Sequence, residues 1–191
     1  VFTLVVLHQV KIKMKCCIGV HQLETNFEPS LQLVLKSEGG YVNNPKDPGG
    51  ETMMGVTKNA WSTWLKRPIA DGEMAKLTVE DIKPFYKALY WDKSYCNELP
   101  LGIDYMAFDA SVNMGVGQSI RILQRSLGCV SDGVIGHNTM DAIHAADVVT
   151  LIDKYSAQKE QFYRSLANFP IFGKGWLARV EQVKQNAKGM I

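Results

Sequence analysis

Three apolar runs in this chain each stop at a glycine, and that pairing constrains the fold more than any other feature. Phe27, Leu31, Val34 and Leu35 recur at i, i+4, i+7 and i+8 before Gly39-Gly40. The run from Ile103 to Met114 halts at Gly115, and Ile120, Ile122, Leu123 and Leu127 precede Gly128. Spacings of three and four put side chains on one face of a helix, and glycine takes up the left-handed conformation in which helices end. Further helix signals lie between and after these runs. Thr57 can cap a helix through about Leu65 that carries Trp61 and Trp64, and Thr78 with Asp81 forms a capping box for a helix through Tyr90, with Pro84 in its first turns or kinking it. Asn138 is read as the cap of a short helix, Asp147 as the cap of a long one through Leu166, and a last helix is expected after Gly175. Strand-like alternation is scarce, so the expected fold is mainly α, with room for a small β-hairpin between Tyr41 and Val56.

With 191 residues and 46% hydrophobic content, the chain can bury a core as one domain or a bilobed one. A formal charge of +2 is far from the concentrated basic surface that nucleic-acid binding requires. Cys16, Cys17, Cys96 and Cys129 lack the paired short spacings of a zinc site and read as free thiols of a reducing compartment. His8, His21, His137 and His144 are scattered, so neither a metal nor a cofactor is expected. Val1 to Leu7 is apolar and is followed by Lys11, Lys13 and Lys15, the reverse of the order in a signal peptide. That run is also too short for stable membrane insertion, which takes about 20 residues. Residues 1–25 are therefore left open as an extension, a processed remnant or a strand, of unknown role, and the protein is expected to collect in the cytoplasm.

The chemistry concentrates where the first helix stops. From Glu38 to Thr57, carboxylates and hydroxyls alternate with glycines and prolines. Glu38 falls on the last helical turn, where the negative end of the dipole disfavours the charged carboxylate, as suits a general acid. Cleavage of a glycosidic bond needs such an acid and usually a second group across the sugar to manage water. Asp47 can supply that group, with the Thr52 hydroxyl orienting the water, and Glu51 is a rival carboxylate placed behind Asp47. The plain alternative makes Glu38 a solvated helix end and Asn44 and Asp47 turn formers around Pro45 and Pro48.

The run Glu38-Gly-Gly-Tyr-Val-Asn-Asn-Pro-x-Asp47-x-Gly-Gly-x-Thr52-x-x-Gly-Val-Thr57 resembles the signature of glycoside hydrolase family 108, the phage and bacterial N-acetylmuramidases. A second block, Ala107-Phe-Asp109-Ala-Ser-Val-Asn113-Met-Gly115 with Leu123-Gln124 and Asp132-Gly133-Val-Ile-Gly136-x-x-Thr139, is similar to that family's peptidoglycan-binding region. Phe172 to Arg179 is similar to a further stretch of it. The resemblance implies a lysozyme-like fold with 26–105 catalytic and 106–191 a helical peptidoglycan-binding region packed on it. It implies Glu38 as proton donor, Asp47 and Thr52 as its assistants, and substrate contacts from Tyr41, Asn44, Glu51, Thr57 and Asn113. The expected partner is the glycan strand of bacterial peptidoglycan, cut between N-acetylmuramic acid and N-acetylglucosamine by a monomeric phage or prophage endolysin. A lytic transglycosylase and a non-catalytic wall-binding or phage structural module are the alternatives. Tyr41, Trp61, Trp64, Tyr90 and Trp91 are candidate sugar platforms, and Trp176 is read as a core residue.

Overall fold

The structure, a computed structural model, describes residues 26–43 and 50–191. Among these, eight α-helices and one two-stranded antiparallel sheet form the framework, as the periodicity implies. Helix α1 (Phe27–Glu38) ends at Gly39, whose φ of 77° is open to glycine without strain. Strands β1 (Thr52–Met53) and β2 (Val56–Thr57) form the hairpin, and α2 (Lys58–Leu65) starts from the Thr57 cap, whose hydroxyl accepts from the Ala60 N–H at 3.1 Å.

Helix α3 (Val79–Tyr86) opens on the Thr78/Asp81 capping box. The helix expected to run to Tyr90 instead leaves α geometry at Tyr86 and continues as a wider π turn over Lys87–Trp91. Pro84 lies inside α3 and offers no N–H to the carbonyl four residues before it. The remaining helices are α4 (Ile103–Met114), α5 (Val116–Leu127), α6 (His137–Ala145), α7 (Val148–Arg164) and α8 (Phe169–Lys188). Two sequence expectations need correction. Gly136, not Asn138, caps α6, and Asn138 lies within that helix. The last helix begins at Phe169, before Gly175. Pro170 suits its first turn, and Gly173 is required because a Cβ there would lie 2.7 Å from the Phe169 ring.

Helix α4 is the axis of the molecule. Every residue from Ile103 to Ser111 is buried, and the helix packs on α1, α5, α7 and α8. Phe27, Trp91 and Phe108 meet edge-to-face at centroid distances of 5.3–5.8 Å beneath it, an arrangement that adds to the area they bury. Such all-round burial explains why α4 carries no amphipathic pattern, and it also traps two carboxylates.

One of these, Asp104, accepts from the Asn26 amide at 2.5 Å and from the Tyr105 N–H at 2.7 Å. Burial pushes its carboxyl up to about 6, with those hydrogen bonds opposing the rise. The folded protein therefore holds a proton that the unfolded chain releases near pH 4. Stability contributed by this group is complete below that value and is lost as pH rises towards 6. Urea unfolding is expected to show a decline on the order of 2 kcal/mol between pH 4 and pH 6.5, and Asp104→Asn should flatten it.

Candidate active site

Glu38 sits where the end of α1, the hairpin and α8 converge. One carboxylate oxygen, Oε1, accepts from Nη2 of Arg179 at 3.0 Å. The same guanidinium reaches Oδ1 of Asp109 through Nη2 at 2.8 Å and Nε at 3.0 Å. The other oxygen of Asp109 takes the Lys159 ammonium at 2.5 Å, and both of those side chains are 1% exposed. Glu38, Arg179, Asp109 and Lys159 thus alternate in sign from the surface to the core.

Burial works to raise the Asp109 pKa, but the Lys159 and Arg179 cations outweigh it and hold the carboxyl below the ordinary aspartate range. Burial likewise opposes the charge of Arg179, and Asp109 with Glu38 overcome it. Arg179, 141 residues away in the chain, is a partner that the helix-end position of Glu38 does not reveal.

On its other side Glu38 meets the hairpin. Val42 and Thr52 exchange two backbone hydrogen bonds of 2.9 Å, Thr52 pairs with Thr57, and Met53 with Val56. The turn between the strands has Met54 at φ 48° and Gly55 at φ 78°, the two positive angles that a tight hairpin requires. The Tyr86 hydroxyl pins this turn by donating to the Met54 carbonyl at 2.7 Å. Burial, then the nearby Glu38 charge, raises the Tyr86 pKa and keeps the hydroxyl a donor. A Cβ on Gly55 would stand 2.7 Å from that hydroxyl and 3.0 Å from Oε2 of Glu38. Gly55→Ala should therefore lose about 1–2 kcal/mol by urea unfolding from backbone strain alone, and its activity should fall further than its stability.

The other sequence-derived candidates divide by what they touch. Glu51 gives one oxygen to Lys58 at 2.6 Å and the other to the Tyr41 hydroxyl at 2.7 Å, and the Lys58 contact, then Tyr41, lowers its pKa. Both its oxygens hold the hairpin base together. The Tyr41 side chain lies at the surface beside it, and the Thr57 hydroxyl serves the α2 cap. Asn113, exposed at the end of α4, accepts from the Tyr163 hydroxyl at 2.6 Å. Thr52 has a fixed backbone position on β1. Asp47 and Asn44 lie outside the described residues, as do residues 1–25.

Among the aromatic candidates, Trp61 and Trp91 belong to the core, at 4% and 0% exposure, whereas Trp176 is partly exposed. Among the described residues, no group of three His, Cys, Asp or Glu side chains is placed to hold a metal. In the second sequence block, buried Gln124 donates to Asp132 at 2.7 Å and to the Val134 carbonyl at 3.0 Å, and accepts from the Gly133 N–H at 2.8 Å. That side chain folds the Asp132–Gly136 loop over an open cavity of about 580 Å³.

The comparisons with known proteins follow the same division. The family model described as Glycosyl hydrolase 108 matches residues 31–115, and the one described as Predicted Peptidoglycan domain matches residues 118–181. Among solved structures, SagA of Brucella abortus is similar, with 33% identity and a TM-score of 0.77 over 87% of this chain and 96% of that one. No curated protein matches. The first model ends on α4 and the second begins on α5, yet the ion chain takes Glu38 and Asp109 from the first and Lys159 and Arg179 from the second.

Proposed function

The chain belongs to the Glycosyl hydrolase 108 family, and from that premise we propose that this peptidoglycan hydrolase is an N-acetylmuramidase whose proton donor is Glu38. The observation that carries the proposal is the setting of Glu38, a carboxyl at a helix end with Arg179 on one oxygen and the hairpin turn beside the other. In the reaction, Glu38 protonates the glycosidic oxygen between N-acetylmuramic acid and N-acetylglucosamine, and the departing sugar leaves an oxocarbenium-like centre that water attacks. As Glu38 gains negative charge, the guanidinium is already in place to receive it, without reorganisation. Asp47 and Thr52 manage the water. Glu51 is the weaker choice for that task because Lys58 and Tyr41 occupy both its oxygens.

Mass spectrometry of fragments released from purified cell walls tests the reaction. Reducing-end muramic acid is expected. Anhydro ends would assign a lytic transglycosylase instead, and absence of release would leave a wall-binding module. The proposal extends to an endolysin role, for which a peptidoglycan hydrolase joined to a peptidoglycan-binding region is suited. Cells expressing the protein should then lyse when their membrane is permeabilised and stay intact otherwise.

A further inference from the structure

We propose that Phe172 and Trp176, on the α8 face that also carries Arg179, form a sugar-stacking platform that extends the catalytic cleft along the glycan strand. The inference rests on the cleavage reaction proposed above for its occupant, and on four features of the structure for its site.

Phe172, Trp176 and Arg179 recur at i, i+4 and i+7, so they share one face of the helix. Arg179 touches Glu38 at 3.0 Å, which fixes that face against the reaction centre. At the helical rise, Trp176 and Phe172 then follow at roughly 4.5 and 10.5 Å along the axis.

The rings are layered from core to solvent. Buried Tyr163 stacks on Trp176 with centroids 5.1 Å apart and planes 25° apart, and Trp176 meets Phe172 at 5.7 Å and 33°. Tyr163 is fixed in turn by its hydrogen bond to Asn113. Yet Phe172 is 52% exposed at the open end of this stack. A half-exposed ring packed at 33° against an anchored indole is an apolar surface preset for the C–H face of a pyranose.

The backbone beside the rings is also bare. Glycine inside a helix costs about 1 kcal/mol relative to alanine. Gly173 repays that by admitting the Phe169 ring, but a Cβ on Gly175 would meet nothing within 4 Å. Next to Trp176, that position leaves room for a ligand to lie close to the helix.

Two assays test the platform. In the first, kcat and KM are measured on purified peptidoglycan for the whole chain and for Phe172→Ala, Trp176→Ala and Trp176→Phe. Both alanine variants are expected to raise KM about tenfold with kcat within about twofold of the parent, and Trp176→Phe should restore most of the loss. In the second, the N-acetylglucosamine tetramer is titrated while indole emission is followed. The emission change should appear in the parent and vanish in Trp176→Phe.

Phe172→Ala keeps the test valid should the Trp176 changes disturb folding, because its ring is half in solvent. An unaltered KM in folded Phe172→Ala overturns the platform. So does a sedimentation result in which the parent is a dimer that Phe172→Ala dissociates, since a second copy would then cover the rings. A parent that releases no wall fragments defeats the proposed reaction, while the tetramer titration still reads the platform separately.

Discussion

Glu38→Gln is expected to lower kcat on purified peptidoglycan by roughly 10²–10⁴, the usual worth of a positioned proton donor, while leaving folding and wall binding unchanged. The amide has the volume of the carboxyl and keeps an oxygen for Arg179, so the contact at 3.0 Å can persist without a proton to give. Far-UV circular dichroism and pelleting with insoluble wall separate that result from simple unfolding. Glu51→Gln is the paired control. It weakens a partly exposed ion pair to Lys58, a kind of contact that adds little to stability, and is expected to reduce activity less than tenfold. If Glu38→Gln kept activity within tenfold of the parent, the donor assignment would fail. A collapse in Glu51→Gln larger than that in Glu38→Gln would reverse the two roles.

The helices were legible where spacing and punctuation agreed. Glu38 ends α1 because Gly39 follows, Thr57 and Thr78 cap the helices expected of them, and Asp147 starts α7 with its carboxylate accepting from the Thr150 N–H at 2.9 Å. The start of α8 was not legible, since the last helix was expected only after Gly175. In the fold the helix runs through that glycine, and Gly173 before it is a packing contact with Phe169. Glu38 stands out as a candidate in the sequence because chemistry and a chain break coincide in one short stretch. Arg179 is 141 residues away, and no local pattern joins it to Glu38. One signal was present. Lys159 falls on the same stripe of α7 as Ile152, Tyr155 and Tyr163, and Asp109 falls in the apolar run of α4. An opposite charge on each of two buried faces points to a buried pair.

That pair gives the second large effect. Lys159→Met is expected to destabilise the protein by about 3–5 kcal/mol, because Asp109 keeps its burial and loses one of the two cations that compensate it. At the usual scaling for a chain of this size, thermal unfolding should move down by roughly 10 °C. The pH dependence has a definite sign. The folded-state pKa of Asp109 is depressed, so its contribution is complete above the ordinary aspartate value near 4 and is lost as pH falls below it towards the folded value. Lys159→Met should therefore be destabilised most at neutral pH and should approach the parent in strong acid. Replacing the pair together, as Asp109→Asn with Lys159→Met, removes both buried charges and should recover part of the lost stability. It should not recover kcat. Arg179 would then have Glu38 as its only charged partner in the chain of charges, and its two bonds to position 109 would fall on a neutral amide oxygen, weaker than the charge-assisted fork to Asp109 that orients its guanidinium. Recovery of kcat in step with stability would make the buried pair a structural element alone. Recovery of stability without kcat would show that the half of the chain matched as a peptidoglycan domain also positions the proton donor of the other half.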